Sequence, residues 1–198
     1  MATLDFFYEF ASTYSYPAAM RIDDLALDYD VEVNWRPFLL GPIFKAQGWE
    51  TSPFNLYPQK GRYMRRDLER ICERQGLPKF RMPATFPAYS ILPARVALCL
   101  RGEMRAAFSR AVYDAAFAQG ADIAEVREIE TILKILGEDP AKIFEKVNTQ
   151  AVKDALRAET EAAQRHGIFG APAFVTEDGE LFWGNDRLEA ALEWAAGD

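Results

Sequence analysis

The 198-residue chain is poor in the side chains that most enzyme chemistry draws on: it holds two cysteines and one histidine. Cys72 and Cys99 stand in separate segments that read as helices, and neither belongs to a C-x-x-C pair, so both read as reduced, buried thiols. A lone imidazole, His166 just before "GIFGAP", excludes a metal site needing several histidines. It also leaves the usual Ser-His-Asp and Cys-His catalysts without material, and His166 itself reads as a helix-end residue. A basic surplus is missing too. The net charge of -7 argues against a general nucleic-acid binder and against an anionic membrane surface as partner. No apolar run approaches the roughly 20 residues needed to span a bilayer. The start "MATLDFFYEF" lacks the basic region and long apolar core of a signal peptide. A cytoplasmic location is the expectation.

What is present is an ordinary globular composition, 49% hydrophobic and 27% charged, in a chain long enough to bury a substantial core. The N-terminal part reads strand, helix, strand. "TLDFFYEF" is short and apolar-rich, Tyr16 to about Asp28 has helical spacing at Met20, Ile22, Leu25 and Leu27, and "VEVNWRPF" alternates with period two. A β-α-β unit joined this tightly predicts two parallel strands. After a Gly- and Pro-punctuated connection, the pattern is helical to about Arg165. Met64, Leu68, Ile71 and Cys72 share one face, Ser90 caps a helix with Pro93 in its first turn, and Asp122 caps another whose stripe is Val126, Ile129, Leu133 and Leu136. Strands return in "APAFVT" and "ELFWG", joined by Asp178-Gly179 as a two-residue hairpin turn, and "DRLEAALEWAAG" closes with a helix. The order β-α-β, helical block, β-β-α is that of an α/β thioredoxin-like fold with an all-α insertion. Residues 1-41 plus 167-198 form the discontinuous thioredoxin-like domain, and residues 42-166 the helical insertion subdomain.

The site where such folds carry C-x-x-C is the turn from the first strand into the first helix, where free N–H groups and the helix dipole favour an ionised thiol. Here that register reads Ser12-Thr13-Tyr14-Ser15, which excludes dithiol chemistry. Two readings of Ser12 and Thr13 stand: simple helix capping, or a hydroxyl and N–H cradle for a thiolate supplied from outside. Two further signals bear on the choice. Ala171-Pro172 enters a strand and suits a cis peptide, without the sequence deciding the isomer. If cis, it leaves the Ala171 N–H and C=O unpaired beside the Ser12 turn, an edge for an extended peptide ligand. Asn185-Asp186 at a helix start is either a cap or a grip for a ligand's ammonium.

On "FYEFASTYSY", "WRPFLLGPIFKAQG", "FPAYSILPARVAL" and "GIFGAPAFV…FWGNDRLE", the whole chain resembles the 2-hydroxychromene-2-carboxylate isomerases, which group with the kappa-class glutathione transferases and relate to DsbA-type thioredoxin folds. The resemblance implies glutathione as cofactor. It implies that Ser12 holds the sulfur as thiolate, with Thr13 and Tyr14 completing the turn, and that the Ala171 backbone, before Pro172, pairs with the cysteinyl unit. Asn185 and Asp186, followed by Arg187, would grip the γ-glutamyl end, and Lys60 would meet the glycyl carboxylate. For Arg62, Arg65 and Arg66 a solvated helix face is preferred. Thr13 stands where the family usually has proline. Trp49 and Tyr89 depart from the asparagines of relatives, on the side of the second substrate. The aromatics of residues 38 to 63 and 86 to 89 supply either core or an apolar roof for a planar substrate. The activity implied is glutathione-dependent isomerisation of a small aromatic carboxylate in a homodimer. A glutathione-consuming transferase or peroxidase uses the same thiolate site and is the first alternative; a non-enzymatic peptide-binding module is the second.

Overall fold

The second half of the first strand, Phe6-Phe7-Tyr8, is apolar on both of its faces, and this decides where it sits. In the computed structural model, which describes residues 1–197, β1 (Ala2–Tyr8) lies inside a four-stranded sheet of order β2-β1-β3-β4. Leu4, Phe6 and Tyr8 point to one side and Phe7 to the other, all completely buried. A strand covered on both faces has to read as a near-continuous apolar run, as "FFY" does.

β2 (Val31–Pro37) pairs parallel with β1, Phe6 opposite Trp35. β3 (Ala173–Thr176) pairs antiparallel on the other side, Phe6 opposite Phe174, and β4 (Leu181–Trp183) adds the edge. The expected β-α-β and β-β-α ends are therefore both present. The hairpin between β3 and β4 differs from expectation. Thr176 N–H donates to the Glu180 carbonyl at 3.1 Å, and Gly179 N–H to the Thr176 carbonyl at 2.9 Å, so the loop is Glu177 to Gly179 rather than two residues. Gly179, at φ +87°, still supplies the left-handed position.

The first helical segment is broken. α1 (Ser15–Ala19) and α2 (Ile22–Asp28) flank a turn at Met20 and Arg21, where one continuous helix was expected. Apolar spacing runs straight across the break, so the cause is tertiary: the Arg21 guanidinium reaches Glu189 at 2.7 Å and Asn185 Oδ1 at 3.3 Å. Between β2 and β3 lie α3 (Leu40–Ala46), α4 (Pro53–Leu56), α5 (Pro58–Arg74), α6 (Ile91–Cys99), α7 (Gly102–Asp114), α8 (Val126–Ile135), α9 (Pro140–Val147) and α10 (Gln150–Arg165). A π-helical turn, Ala115–Gln119, extends α7, and α11 (Leu188–Ala196) ends the fold after a 3-10 turn, Asn185–Arg187.

α5 buries the face its spacing predicts, Met64, Leu68, Ile71 and Cys72, and α9 is capped by Asp139, whose Oδ1 accepts from Ala141 N–H at 3.0 Å. Two other caps differ. Asp122 accepts from Ala124 N–H at 3.0 Å in a turn that precedes α8, and Val126 is exposed rather than on the buried stripe. Ser90 makes no side-chain cap; its hydroxyl is turned to Glu9. Leu68, Val96, Phe108 and Leu133 from the helices join Phe6, Tyr8 and Phe174 from the sheet in one hydrophobic cluster. Each fully buried Phe or Leu there contributes about 1.5–3 kcal/mol. The opposite face of β1 is closed by Phe38, Ile43, Ala163 and Ile168 around Phe7. Both cysteines are free, and burial pushes the Cys72 thiol up to about 11.

Candidate active site

The chain leaves β1 through Glu9 and Phe10, both buried, and turns at Ser12. Ser12 N–H donates to the Glu9 carbonyl at 2.9 Å, and Ser15 N–H donates to the Ser12 carbonyl at 3.2 Å and to Ser12 Oγ at 3.3 Å. Ser12 Oγ–H donates in turn to the Ala171 carbonyl at 2.8 Å, across 159 positions of sequence. Ala171-Pro172 is a cis peptide. Its carbonyl is thus not left open, as expected from sequence, but is taken by the serine hydroxyl.

α1 has only five residues, so its dipole at this turn is that of a short helix, weaker than the long helix expected. An anion placed at this turn would meet local donors first: the Ser12 hydroxyl, and the Thr13 and Tyr14 N–H groups, for which no protein acceptor is found among the described residues. Thr13 is 1% exposed and its hydroxyl is buried without a partner. Tyr14 packs on Phe54, ring centroids 6.2 Å apart, and its phenol donates to Asp67 Oδ2 at 3.0 Å. Burial, followed by the Asp67 contact, pushes its ionisation well up. Lys60 lies seven residues before Asp67 on α5, the same helix face about 10 Å further toward the N-terminus. Its ammonium sits over the Tyr57 ring at 4.8 Å.

The other wall follows β4. Gly184 N–H donates to the Pro172 carbonyl at 3.0 Å, which sets Asn185 and Asp186 immediately beyond the Ala171-Pro172 edge. Asn185 is buried and held by Arg21. Asp186 is exposed and meets only its neighbour Arg187, at 3.3 Å. Trp183 leans on Gly170, where an added Cβ would fall 2.5 Å from the indole nitrogen, and its ring packs at a tilt against Phe169, 4.8 Å between centroids.

Ser12, Thr13, Tyr14, Ala171, Pro172, Asn185, Asp186 and Arg187 are thus brought to one end of the sheet, with Lys60 on the helix face tied to it through Asp67. Trp49 is not joined to them: it folds back on Phe44, 5.7 Å between centroids, at the end of α3. Tyr89 is 74% exposed and lines a cavity of about 270 Å³ with Leu92, Arg95 and Asn148, one residue from Ser90. A second cavity, about 420 Å³, lies between α4, α5 and the 82–86 loop, walled by Phe54, Met64, Met82 and Phe86 with Arg62 and Arg65 at its rim. Sequence reasoning passed over Glu9 and Arg21. The signal for Glu9 was a single carboxylate inside "FFYEFA", a charge with no solvent face to take it.

The model of the DSBA-like thioredoxin domain matches residues 3–193. The chain belongs to this family. It is 34% identical over 193 residues to a 2-hydroxychromene-2-carboxylate isomerase of Sphingobium xenophagum, with 94% of each chain covered. It is 29% identical to glutathione S-transferase kappa 1 of Homo sapiens, over 94% of this chain and 88% of the relative. Among solved structures, a 2-hydroxychromene-2-carboxylate isomerase superposes with a TM-score of 0.86 at 28% identity, over 98% of this chain and 94% of that one. The resemblance expected from the motifs is therefore borne out.

Proposed function

We propose that the protein is a glutathione-dependent isomerase that interconverts a 2-hydroxychromene-2-carboxylate-type aromatic acid and its trans-o-hydroxybenzylidenepyruvate. The observation that carries this reading is the Ser12 hydroxyl on the Ala171 carbonyl, 2.8 Å, beside donors with no other acceptor. The donor set fits a tripeptide thiol. The Ala171 carbonyl matches a cysteinyl N–H, the Ser12 turn matches a sulfur anion, Asp186 is free of all but Arg187 to meet an α-ammonium, and Lys60 is exposed for a carboxylate.

The chemistry that bound glutathione supplies is reversible thiolate addition to the substrate's conjugated double bond, which makes it a single bond, permits rotation and ends with the thiolate released unconsumed. The protein's share is electrostatic and positional. On binding, the Ala171 carbonyl exchanges the Ser12 hydroxyl for the ligand's N–H, and the released O–H turns to the sulfur. Ser12 and the Thr13 and Tyr14 N–H groups then hold the anion at neutral pH. The Phe54–Met82–Phe86 cavity is the place for the aromatic acid: it adjoins Tyr14 through Phe54 and offers Arg62 and Arg65 to a carboxylate. By the same reading the protein is a cytoplasmic homodimer. No helix is long and apolar enough to cross a membrane among the described residues.

A kappa-like transferase, consuming glutathione at the same thiolate site, is the second reading, favoured by the similarity to kappa relatives. Following the ultraviolet spectrum of 2-hydroxychromene-2-carboxylate with enzyme, with and without glutathione, separates them. Glutathione-dependent conversion without loss of glutathione is expected; consumption of the thiol in step with substrate would select the transferase.

A further inference from the structure

Glu9 is 4% exposed, three residues before Ser12, and every polar atom of its side chain is engaged. Oε2 accepts from Ala11 N–H at 3.0 Å, and Oε1 accepts from the Ser90 hydroxyl at the head of α6. Its carbonyl accepts Ser12 N–H at 2.9 Å and the Tyr113 hydroxyl at 3.0 Å. One residue thus ties β1, the Ser12 turn, α6 and α7 together. No lysine or arginine pairs with the carboxylate among the described residues. The ionisable group facing it is Tyr113, neutral because burial drives its ionisation far up; Tyr8, the preceding residue, is neutral for the same reason and bonds to Ser109. Arg105, whose charge is felt by Tyr8, is committed to the carbonyls of Ala97, Leu100 and Trp35.

We propose that Glu9 is a positioning residue for the thiolate site: its carboxyl clamps the Ser12 turn to the head of α6 and places a buried, uncompensated charge next to the cradle. Two consequences follow. The clamp holds Ala11 and Ser12 in the shape that presents the hydroxyl to Ala171. The charge opposes a second anion nearby, so the thiolate and the ionised carboxylate disfavour each other. Burial pushes Glu9 up to about 7, so this antagonism switches on in the neutral range. Thiolate formation is then shallower with pH than a single titration.

The inference rests on the glutathione reading for its second consequence and not for its first, so the test has two arms. Glu9→Gln preserves the size and the acceptor for Ala11 N–H while removing the charge. Bound glutathione, followed by thiolate absorbance across pH, is expected to titrate about one unit lower in this variant and as a single step, with its dissociation constant within about three-fold of the natural protein. In parallel, amide hydrogen exchange at Ala11 and Ser12, measured without ligand, should accelerate about ten-fold in Ser90→Ala and more in Glu9→Ala. Thiolate curves that superpose for the natural protein and Glu9→Gln overturn the electrostatic role. Unchanged exchange in both Ser90→Ala and Glu9→Ala overturns the clamp. If the natural protein fails to bind glutathione, the proposed function falls, and the exchange arm still decides the clamp.

Discussion

The two halves of the candidate site are built on opposite principles. The cradle is enclosed, with Asn185 buried and Ser12 and Ala171 half-buried, and it is fixed by long-range hydrogen bonds, 159 positions apart in the case of Ser12 and Ala171. The grips at Lys60, Asp186 and Arg187 stand in solvent, held by a ring face or a neighbouring side chain. Buried donors keep their orientation when empty and act in a low dielectric, so they suit the group whose charge must be created. Exposed charges are screened and mobile, and suit ends that arrive already ionised. On the proposed function, the contrast assigns rate control to the cradle and capture to the grips.

The largest effect that would sharpen this contrast belongs to the buried side. Glu9 binds its proton more tightly folded than unfolded, with its value raised from 4.5 to about 7. Its contribution is therefore fully present below about 4.5 and lost as pH rises through 7, a fall of about 3 kcal/mol. Denaturant melts across that window should show the fall in the natural protein and not in Glu9→Gln. Next comes Ser12→Ala, expected to cut turnover about a hundred-fold while glutathione affinity stays within a few-fold. Loss of affinity with unchanged turnover would reverse the assignment of cradle and grip.

On the exposed side, Asp186→Ala should weaken glutathione binding about ten-fold by titration calorimetry, with little change in saturated turnover. Lys60→Met should weaken it about three-fold at low salt, a difference that disappears at high ionic strength. A large, salt-independent loss at Lys60 would mean that the helix face closes over the ligand. The smallest effect returns to the cradle. Thr13→Val removes a buried, unpartnered hydroxyl and should raise stability by about 1 kcal/mol, or about 3 °C in Tm.

Much of this was legible because it is written in local periodicity. The apolar run of β1, the alternation of β2, the buried face of α5 and the Gly-Ala-Pro strand entry each follow from residues a few positions apart. That Ala171 lies beside the Ser12 turn was legible from the order of the elements, but the hydrogen bond between them was not, since the Ala171 carbonyl was expected to be unpaired. What was not legible depends on partners far along the chain. The break at Met20 and Arg21 is imposed by Glu189 and Asn185, and the diversion of Ser90 from cap to Glu9 by a contact 81 positions away. Trp49 and Tyr89 sit on irregular connections, where no repeating pattern says which way a side chain faces.

The contact of Trp183 with Gly170 has an optical consequence. Of the four tryptophans, Trp35 is sealed in the core, whereas Trp183 lies half in solvent against the residue that precedes Ala171. Its emission wavelength is set by the water around the indole and by the Gly170 backbone and Phe169 ring it rests on. The protein therefore carries its own fluorophore at the mouth of the cradle, and occupancy of the cradle can be read from a solution of unlabelled protein.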